Sequence, residues 1–309
     1  MFSWSRWVLT LLGFISFLLG CGGGLPVSSP EKTSLQQLTH EPSQDFYADW
    51  SPDGQKIAFI SDRSGSWNIW VIRLDGSHPQ ALTADHQATS PTWNPDGTMI
   101  AYATDRESGM RFWTDLWTMK SDGSFQKPLG QTPTLKDLVP SWSPDGKYIA
   151  FLRMDMTAVP AWRIIRLDME SKQFHEIASD KILFSRLTWS PNGKEIAFVS
   201  DRSGKPELWI MDRDGKETRP ITHDGAEKKH PDWSPDGKWI VFASKRAGNF
   251  NLWLIHPDGT GLKRLTRSPA TDTLPDWSPD GKKIAFTSDR SGNQDIWLMS
   301  INNQSYGQR

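Results

Sequence analysis

Residues 187–222 read LTWSPNGKEIAFVSDRSGKPELWIMDRDGKETRPIT, and this stretch decides the fold. Leu187-Thr188-Trp189 leads into Ser190-Pro191-Asn192-Gly193, where proline at the second place and glycine at the last suit a type I turn. Residues 195–200 (EIAFVS) mix β-branched, aromatic and aliphatic side chains, as strands do. Both faces of that segment are apolar, so the strand belongs in a sheet covered on both sides. Asp201-Arg202-Ser203-Gly204 turns the chain into a second strand, residues 207–211. A turn at Asp214-Gly215 then leads to a closing strand at residues 219–222.

The same unit recurs along the chain. Tryptophan followed by a Pro-Asp/Asn-Gly turn begins at Trp50, Trp93, Trp142, Trp189, Trp233 and Trp277, at spacings of 43, 49, 47, 44 and 44 residues. Short strands repeated at a period of 40–50 residues describe a β-propeller. The expected fold is therefore all-β: a six-bladed propeller of four-stranded antiparallel blades over residues 35–302. The chain has 17 tryptophans against 4 tyrosines. Six of them head the turns, and Trp70, Trp117, Trp209, Trp253 and Trp297 sit in third strands, where a large planar ring fills the space between twisted sheets. In the third unit either Trp162 or Arg163 takes that position, depending on the direction of counting. The last unit stops after DIWLMSI, and residues 35–39 (LQQLT) match its missing strand. They are expected to complete the last blade and lock the ring.

The pattern WSPDGKxIAF…SDRSG…IWxM…DG…LT resembles the PD40, or WD40-like, repeat of TolB-like propellers, and the resemblance covers all six units. It implies a non-catalytic scaffold that binds cell-envelope proteins in the Tol–Pal system, including the peptidoglycan-associated lipoprotein. TolB-like proteins carry an α/β domain before the propeller, whereas 34 residues precede it here, so no function of that domain is carried over.

Those residues have a separate reading. Arg6 precedes an uncharged, mostly apolar run from Trp7 to Gly20, which is too short for a membrane span of about 20 residues. A positive start, an apolar stretch and small residues at its end describe a secretory signal. Leu18-Leu19-Gly20-Cys21 resembles a bacterial lipobox, and Cys21 is the only cysteine. The resemblance implies a signal peptide at residues 1–20 and lipid on Cys21. An uncleaved anchor is the other reading. Residues 21–34, rich in glycine, serine and proline, form a lipidated flexible tether, and residues 303–309 are a tail. The expected place is the periplasmic side of a bacterial membrane, the outer membrane in a Gram-negative cell, or the cell surface.

Charge bounds the partners. With 35 lysines and arginines against 36 acids the net charge is −1, which provides no basic field for nucleic acid. The PDG turns scarcely vary, whereas the loops between blades differ widely, and asymmetry confined to one face marks a binding face. The candidate partner-binding residues there are Asp49, His86, Arg186, His223, Lys228, Lys229, His230, Asp232, Arg267 and Asp276. Phe112 and Trp113 join them from an enlarged turn, with Met110, Met154 and Met156 beside them, because aromatics with methionine favour interfaces. Solvated loop charge and mutual packing account for the same residues without a partner. The recurring Asp62-Arg63, Asp105-Arg106, Asp201-Arg202 and Asp289-Arg290 pairs read as architecture: an aspartate bonding turn amides and an arginine bridging blades.

No G-x-S-x-G elbow, H-E-x-x-H motif or phosphate loop occurs. The histidines lack a diagnostic metal spacing, and neither a metal nor another cofactor is expected. The functional expectation is a monomeric, lipid-anchored, non-enzymatic scaffold that binds envelope proteins at the channel mouth. The alternative is a lyase-like propeller enzyme or glycan-binding protein acting on envelope or extracellular polysaccharide.

Overall fold

The computed structural model describes residues 34–84, 86–106, 114–130, 135–155 and 161–301. These residues form an all-β propeller with no helix. The expected signal, Cys21, the expected tether up to residue 33 and the tail lie outside them, as do Phe112, Trp113, Met110 and Met156.

The chain enters as β1 (Leu35–Gln37), which joins the last sheet. The first four-stranded sheet is β2 (Asp45–Trp50), β3 (Lys56–Ser61), β4 (Asn68–Arg73) and β5 (Gln80–Ala81). The second is β6 (Ala88–Trp93), β7 (Met99–Thr104), β8 (Asp115–Lys120) and β9 (Lys127–Pro128). Two further units follow: β10 (Leu135–Trp142), β11 (Tyr148–Asp155), β12 (Trp162–Asp168) and β13 (Phe174–Ile182), then β14 (Thr188–Trp189), β15 (Glu195–Ser200), β16 (Glu207–Asp212) and β17 (Thr218–Pro220). Next come β18 (Lys228–Trp233), β19 (Ile240–Ala247), β20 (Asn249–Ile255) and β21 (Lys263–Arg264). β22 (Asp272–Trp277), β23 (Lys283–Ser288) and β24 (Asp295–Ser300) complete the series. The first strands touch one another in the cyclic order β2, β6, β10, β14, β18, β22 and back to β2.

Hydrogen bonding divides this ring into five sheets, not six separate ones. The third and fourth units share one sheet through the single pair Ile182↔Ser200. The cause is local. In four other units the last residue of the second strand pairs with the start of its own first strand, as in Asp45↔Ser61 and Asp272↔Ser288. In the fourth unit the first strand has only two residues, and the end of the nine-residue β13 takes the vacant place.

The second strands are buried on both faces: Ile57, Ala58 and Phe59 are fully covered, as are Ile284, Ala285 and Phe286. Five third-strand tryptophans stand opposite a second-strand aromatic, as in Phe59↔Trp70 and Phe198↔Trp209. In the third unit Phe151 faces Ile165, so neither Trp162 nor Arg163 holds the repeat position. Phe174, edge-on to Phe151 at 6.1 Å, supplies the missing ring from the fourth strand.

The PDG turns fix the spacing of the other face. Gly97 has φ +74°, a conformation open to glycine at little cost, and a Cβ added there would lie 3.7 Å from Pro52 of the preceding unit. Gly146, Gly193, Gly237 and Gly281 stand in the same relation to Pro95, Pro144, Pro191 and Pro235.

β1 pairs antiparallel with β24 through Leu35↔Met299, Gln36↔Leu298 and Gln37↔Trp297. Thr39 Oγ1 donates to Asp295 Oδ1 at 3.1 Å and accepts the Ile296 N–H at 3.0 Å. Thr83, Thr222 and Thr266 accept the equivalent N–H groups of Ile69, Leu208 and Leu252.

Candidate binding site at the channel mouth

Each first strand except β14 carries a bulge just before its tryptophan. The register slips between Phe46 and Asp49, Thr89 and Thr92, Leu138 and Ser141, Lys229 and Asp232, and Thr273 and Asp276. The residue three places before the tryptophan is left-handed in all five: Tyr47, Ser90, Val139, His230 and Leu274. In the fourth unit Arg186 holds that place without a positive φ.

The aspartate just before a tryptophan reaches the next unit. Asp49 Oδ2 accepts the Trp93 N–H at 2.8 Å, Asp232 Oδ2 that of Trp277 at 2.7 Å, and Asp276 Oδ2 that of Trp50 at 2.9 Å. Arg186 enters the same space from the opposite side of the ring. Its Nη2 lies 2.5 Å from Asp49 Oδ1, and its Nη1 lies 3.0 Å from Asp276 Oδ1 and 3.2 Å from the Ala48 carbonyl. Thr188 Oγ1 donates to Asp232 Oδ1 at 3.0 Å. The structure thus gathers Asp49, Arg186, Asp232 and Asp276 into one buried cluster, with Asp232 keeping some accessible surface.

Three carboxylates surround one guanidinium, so they do not all ionise easily. Burial, reinforced by Asp276 and opposed by Arg186, pushes Asp49 up to about 8. Burial and then Asp276 push Asp232 up to about 7. Burial also raises Asp276 against the pull of Arg186. Burial works against the Arg186 charge, but Asp276, Asp49 and Asp232 outweigh it and hold the guanidinium protonated. Beside it, the His230 backbone N–H donates to Ser185 Oγ at 2.7 Å, and the ring Nδ1 accepts the Arg186 backbone N–H at 3.1 Å. Burial pushes the imidazole down to about 3, so the ring is neutral. Tyr47, edge-on to it at 6.1 Å, is pushed up to about 12 by burial.

Besides Asp49, Arg186, Asp232 and Asp276, two more of the expected contact residues are engaged within the ring. His230 is a buried packing and hydrogen-bonding group. Lys228 is buried at 2% exposure and pairs with Glu207 at 2.8 Å and with Asp224. It stands in β18 where β2 and β22 start with Asp45 and Asp272, and the neighbouring acids satisfy its reversed charge. Lys229 is half-buried and pairs with Glu227 at 3.1 Å. His223 and Arg267 are exposed and His86 is half-buried, so these three remain available at the surface. Among the described residues no group of three or more His, Cys, Asp or Glu side chains is arranged to hold a metal ion.

The recurring Asp-Arg pairs are architectural in a different way from the sequence expectation. The aspartate does bond a backbone amide: Asp62 Oδ1 accepts the Gln44 N–H, Asp105 Oδ1 that of Gln87, and Asp289 Oδ1 that of Thr271. Arg63 and Arg290 bond and stack within their own blades. Arg63 lies over Phe59 and Trp70 at 5.2 and 4.9 Å and pairs with Asp45 at 3.0 Å. Arg290 repeats this over Phe286 and Trp297 with Asp272 at 2.6 Å. Charge-assisted and cation–π contacts together stiffen the floor of the mouth.

Sequence reading missed Tyr47, Ser185, Phe184 and Lys136, which shape the mouth. Only Tyr47 carried a signal, by standing three residues before a repeat tryptophan.

Comparison with known proteins agrees with this architecture. The family model of the TolB beta propeller domain matches residues 27–115, 114–253 and 231–308. The Tol-Pal system protein TolB of Anaeromyxobacter sp. strain K is 32% identical over 60 residues, 19% of this chain and 14% of that protein. The chain thus aligns with only a small part of that curated relative. A putative TolB from Agrobacterium tumefaciens superposes with a TM-score of 0.65 at 20% identity, covering 87% of this chain and 97% of that one. An oligogalacturonate lyase in complex with manganese gives 0.64 at 16% identity, covering 89% and 96%. A gluconolactonase from Xanthomonas campestris gives 0.68 at 16% identity, covering 88% and 90%. These three share the fold. With repeat, strand order and family model in agreement over most of its length, the chain belongs to the TolB β-propeller family.

Proposed function

We propose that this protein is a six-bladed propeller acting as a non-enzymatic scaffold of the bacterial cell envelope, and that it takes a protein partner on the face where the inter-blade loops open. The observation that carries this reading is the saturation of the channel. Arg186 is bonded by Asp49 and Asp276, and each of the three aspartates holds the tryptophan N–H of the next unit. Groups engaged in this way hold the ring together and are spent as acids, bases or ligands. The exposed His223 and Arg267 stay on the outside, where a partner would meet them. Partners in the envelope, and a place there, are supported by the name of the Tol-Pal relative. Attachment through lipid on Cys21 belongs to the same reading and rests on the lipobox-like Leu18-Leu19-Gly20-Cys21.

The test is affinity capture from envelope extract with the full chain and with His223→Glu/Arg267→Glu. One defined protein captured by the wild type and lost from the double variant is the expected result. Turnover of uronic-acid oligomers or lactones by the purified chain would replace this reading with the enzyme one, to which the lyase and gluconolactonase likenesses lend only the fold. Labelling of the chain with a fatty-acid analogue, abolished by Cys21→Ser, tests the anchor.

A further inference from the structure

The mouth carries a depression of about 310 Å³ between the first three units. Its walls are largely apolar, built by Tyr47, Ile60, Trp67 and Leu138, with Phe184 at the edge and Lys136 among the lining groups. Two of these residues are out of keeping with an ordinary surface. Phe184 is 42% exposed, one of only four large apolar side chains so exposed among the described residues. Lys136 is half-buried and, unlike neighbouring Asp137, which Arg153 grips through two bonds of 2.8 Å, has no carboxylate partner among the described residues. Burial depresses its basicity.

We propose that this depression receives a segment of a protein partner that inserts one aromatic or large aliphatic side chain and sets an adjacent carboxylate against the Lys136 ammonium. The volume is at the bottom of the range for small-molecule sites and suits one or two side chains. Charge complementarity selects the carboxylate: a desolvated ammonium among apolar walls gains most from an anion that shares its low-dielectric surroundings. The protein source follows from the openness of the site. Exposed Phe184 continues the apolar wall out onto the mouth face, giving contact area that a free small acid seated in the depression would leave in water. Exposed and half-buried apolar side chains around one polar anchor match the centre of a protein interface. This inference rests on the scaffold reading and adds the chemistry of the partner segment.

The experiment is selection of a random peptide library on the full chain, followed by affinity measurement on the wild type, Lys136→Glu and Phe184→Ser. Enriched peptides should pair an aromatic or large aliphatic residue with a neighbouring Asp or Glu. Lys136→Glu should weaken them about tenfold. Replacing the peptide's acid by lysine should restore binding to Lys136→Glu, and Phe184→Ser should weaken binding without changing the charge preference. Thermal melts identify any variant that fails to fold, and Lys136→Met then serves as the second probe. Enrichment of peptides without an acid, equal affinity for Lys136→Glu, or absence of any enrichment would overturn the proposal. So would competition by N-acetylphenylalanine at an affinity equal to the peptide's, since a free carboxylate would then suffice. Capture of an envelope partner undiminished by Lys136→Glu would refute this site and leave the scaffold reading standing.

Discussion

Replacing Arg186 by methionine removes the single cation among three inward-facing carboxylates. The guanidinium bonds Asp49, Asp276 and the Ala48 carbonyl, and all three lie in buried surroundings. Breaking one partner of such a buried ionic set costs about 3–5 kcal/mol, a large fraction of the roughly 5–15 kcal/mol that holds a domain together. The variant has one means of relief, which is to bind protons on the orphaned carboxyls. Each additional proton retained above the unfolded carboxyl value near 4 costs about 1.4 kcal/mol per pH unit. In the wild type burial raises all three carboxyls and Arg186 opposes that rise at each of them. Without the guanidinium they hold protons to higher pH, so the folded variant binds more protons than the wild type. The penalty should therefore grow by about 1 kcal/mol for each pH unit between 5.5 and 8. Urea unfolding of wild type and variant at both pH values, followed by tryptophan fluorescence, measures it directly. Arg186→Lys, which keeps one charge but not the forked geometry, should fall between the two. A penalty under about 1 kcal/mol at both pH values, or one larger at pH 5.5 than at pH 8, would refute the view of Arg186 as the electrostatic centre of the ring.

Other outcomes follow from the same geometry. Because Asp49 is raised in the folded state, its contribution is fully present below the unfolded value and lost as pH rises through about 8. Asp49→Asn should thus cost less at pH 8.5 than at pH 5, and a pH-independent cost in calorimetry would contradict this. His230 acts in the opposite sense: held down to about 3, it contributes above pH 6.5 and loses that contribution as pH falls towards 3. His230→Gln should flatten the acid limb of the stability profile, and an unaltered limb would count against a buried neutral ring. Thr39→Val leaves the Ile296 N–H without its acceptor and removes one of several donors to the Asp295 carboxyl, at a cost of about 1–3 kcal/mol. Deletion of residues 34–39 should lower Tm further, and an unchanged Tm in either variant would mean that β1 contributes nothing to closure. Arg290→Met leaves Asp272 without its cation and should cost about 2–4 kcal/mol, read as a fall in urea midpoint at unchanged m.

Much of the fold was legible because the repeat writes it six times. The PDG glycines need a left-handed backbone, and the alternation of apolar runs with turns needs no tertiary knowledge. The bulged first strands were not legible: Tyr47, Val139 and Leu274 adopt positive φ although nothing in their side chains favours it. Ring geometry imposes that conformation. The same limit explains Arg186. Its charge was visible, but its loss of the bulge and its reach across the ring depend on the shortened β14. Lys228 and Lys229 are adjacent, and alternation along β18 sends the first inward to Glu207 and leaves the second at the surface with Glu227. The merged third and fourth units escaped because the pair Ile182↔Ser200 replaces a first-strand contact that a regular repeat would supply.

Sealing the ring with β1 also sets a clock on biogenesis. Ser34 and Ser300, which meet at the seam, are 266 residues apart, so the first strand made must wait for the last. At ordinary synthesis rates that wait is roughly 15–50 s. During it, the partial ring shows an open strand edge at each end, and such edges invite pairing with other chains. Every unit can gather its own hairpins early, but the cooperative molecule exists only after β24 arrives. A chain lacking β1 or β24 would therefore fail as a whole ring and lose more than one strand.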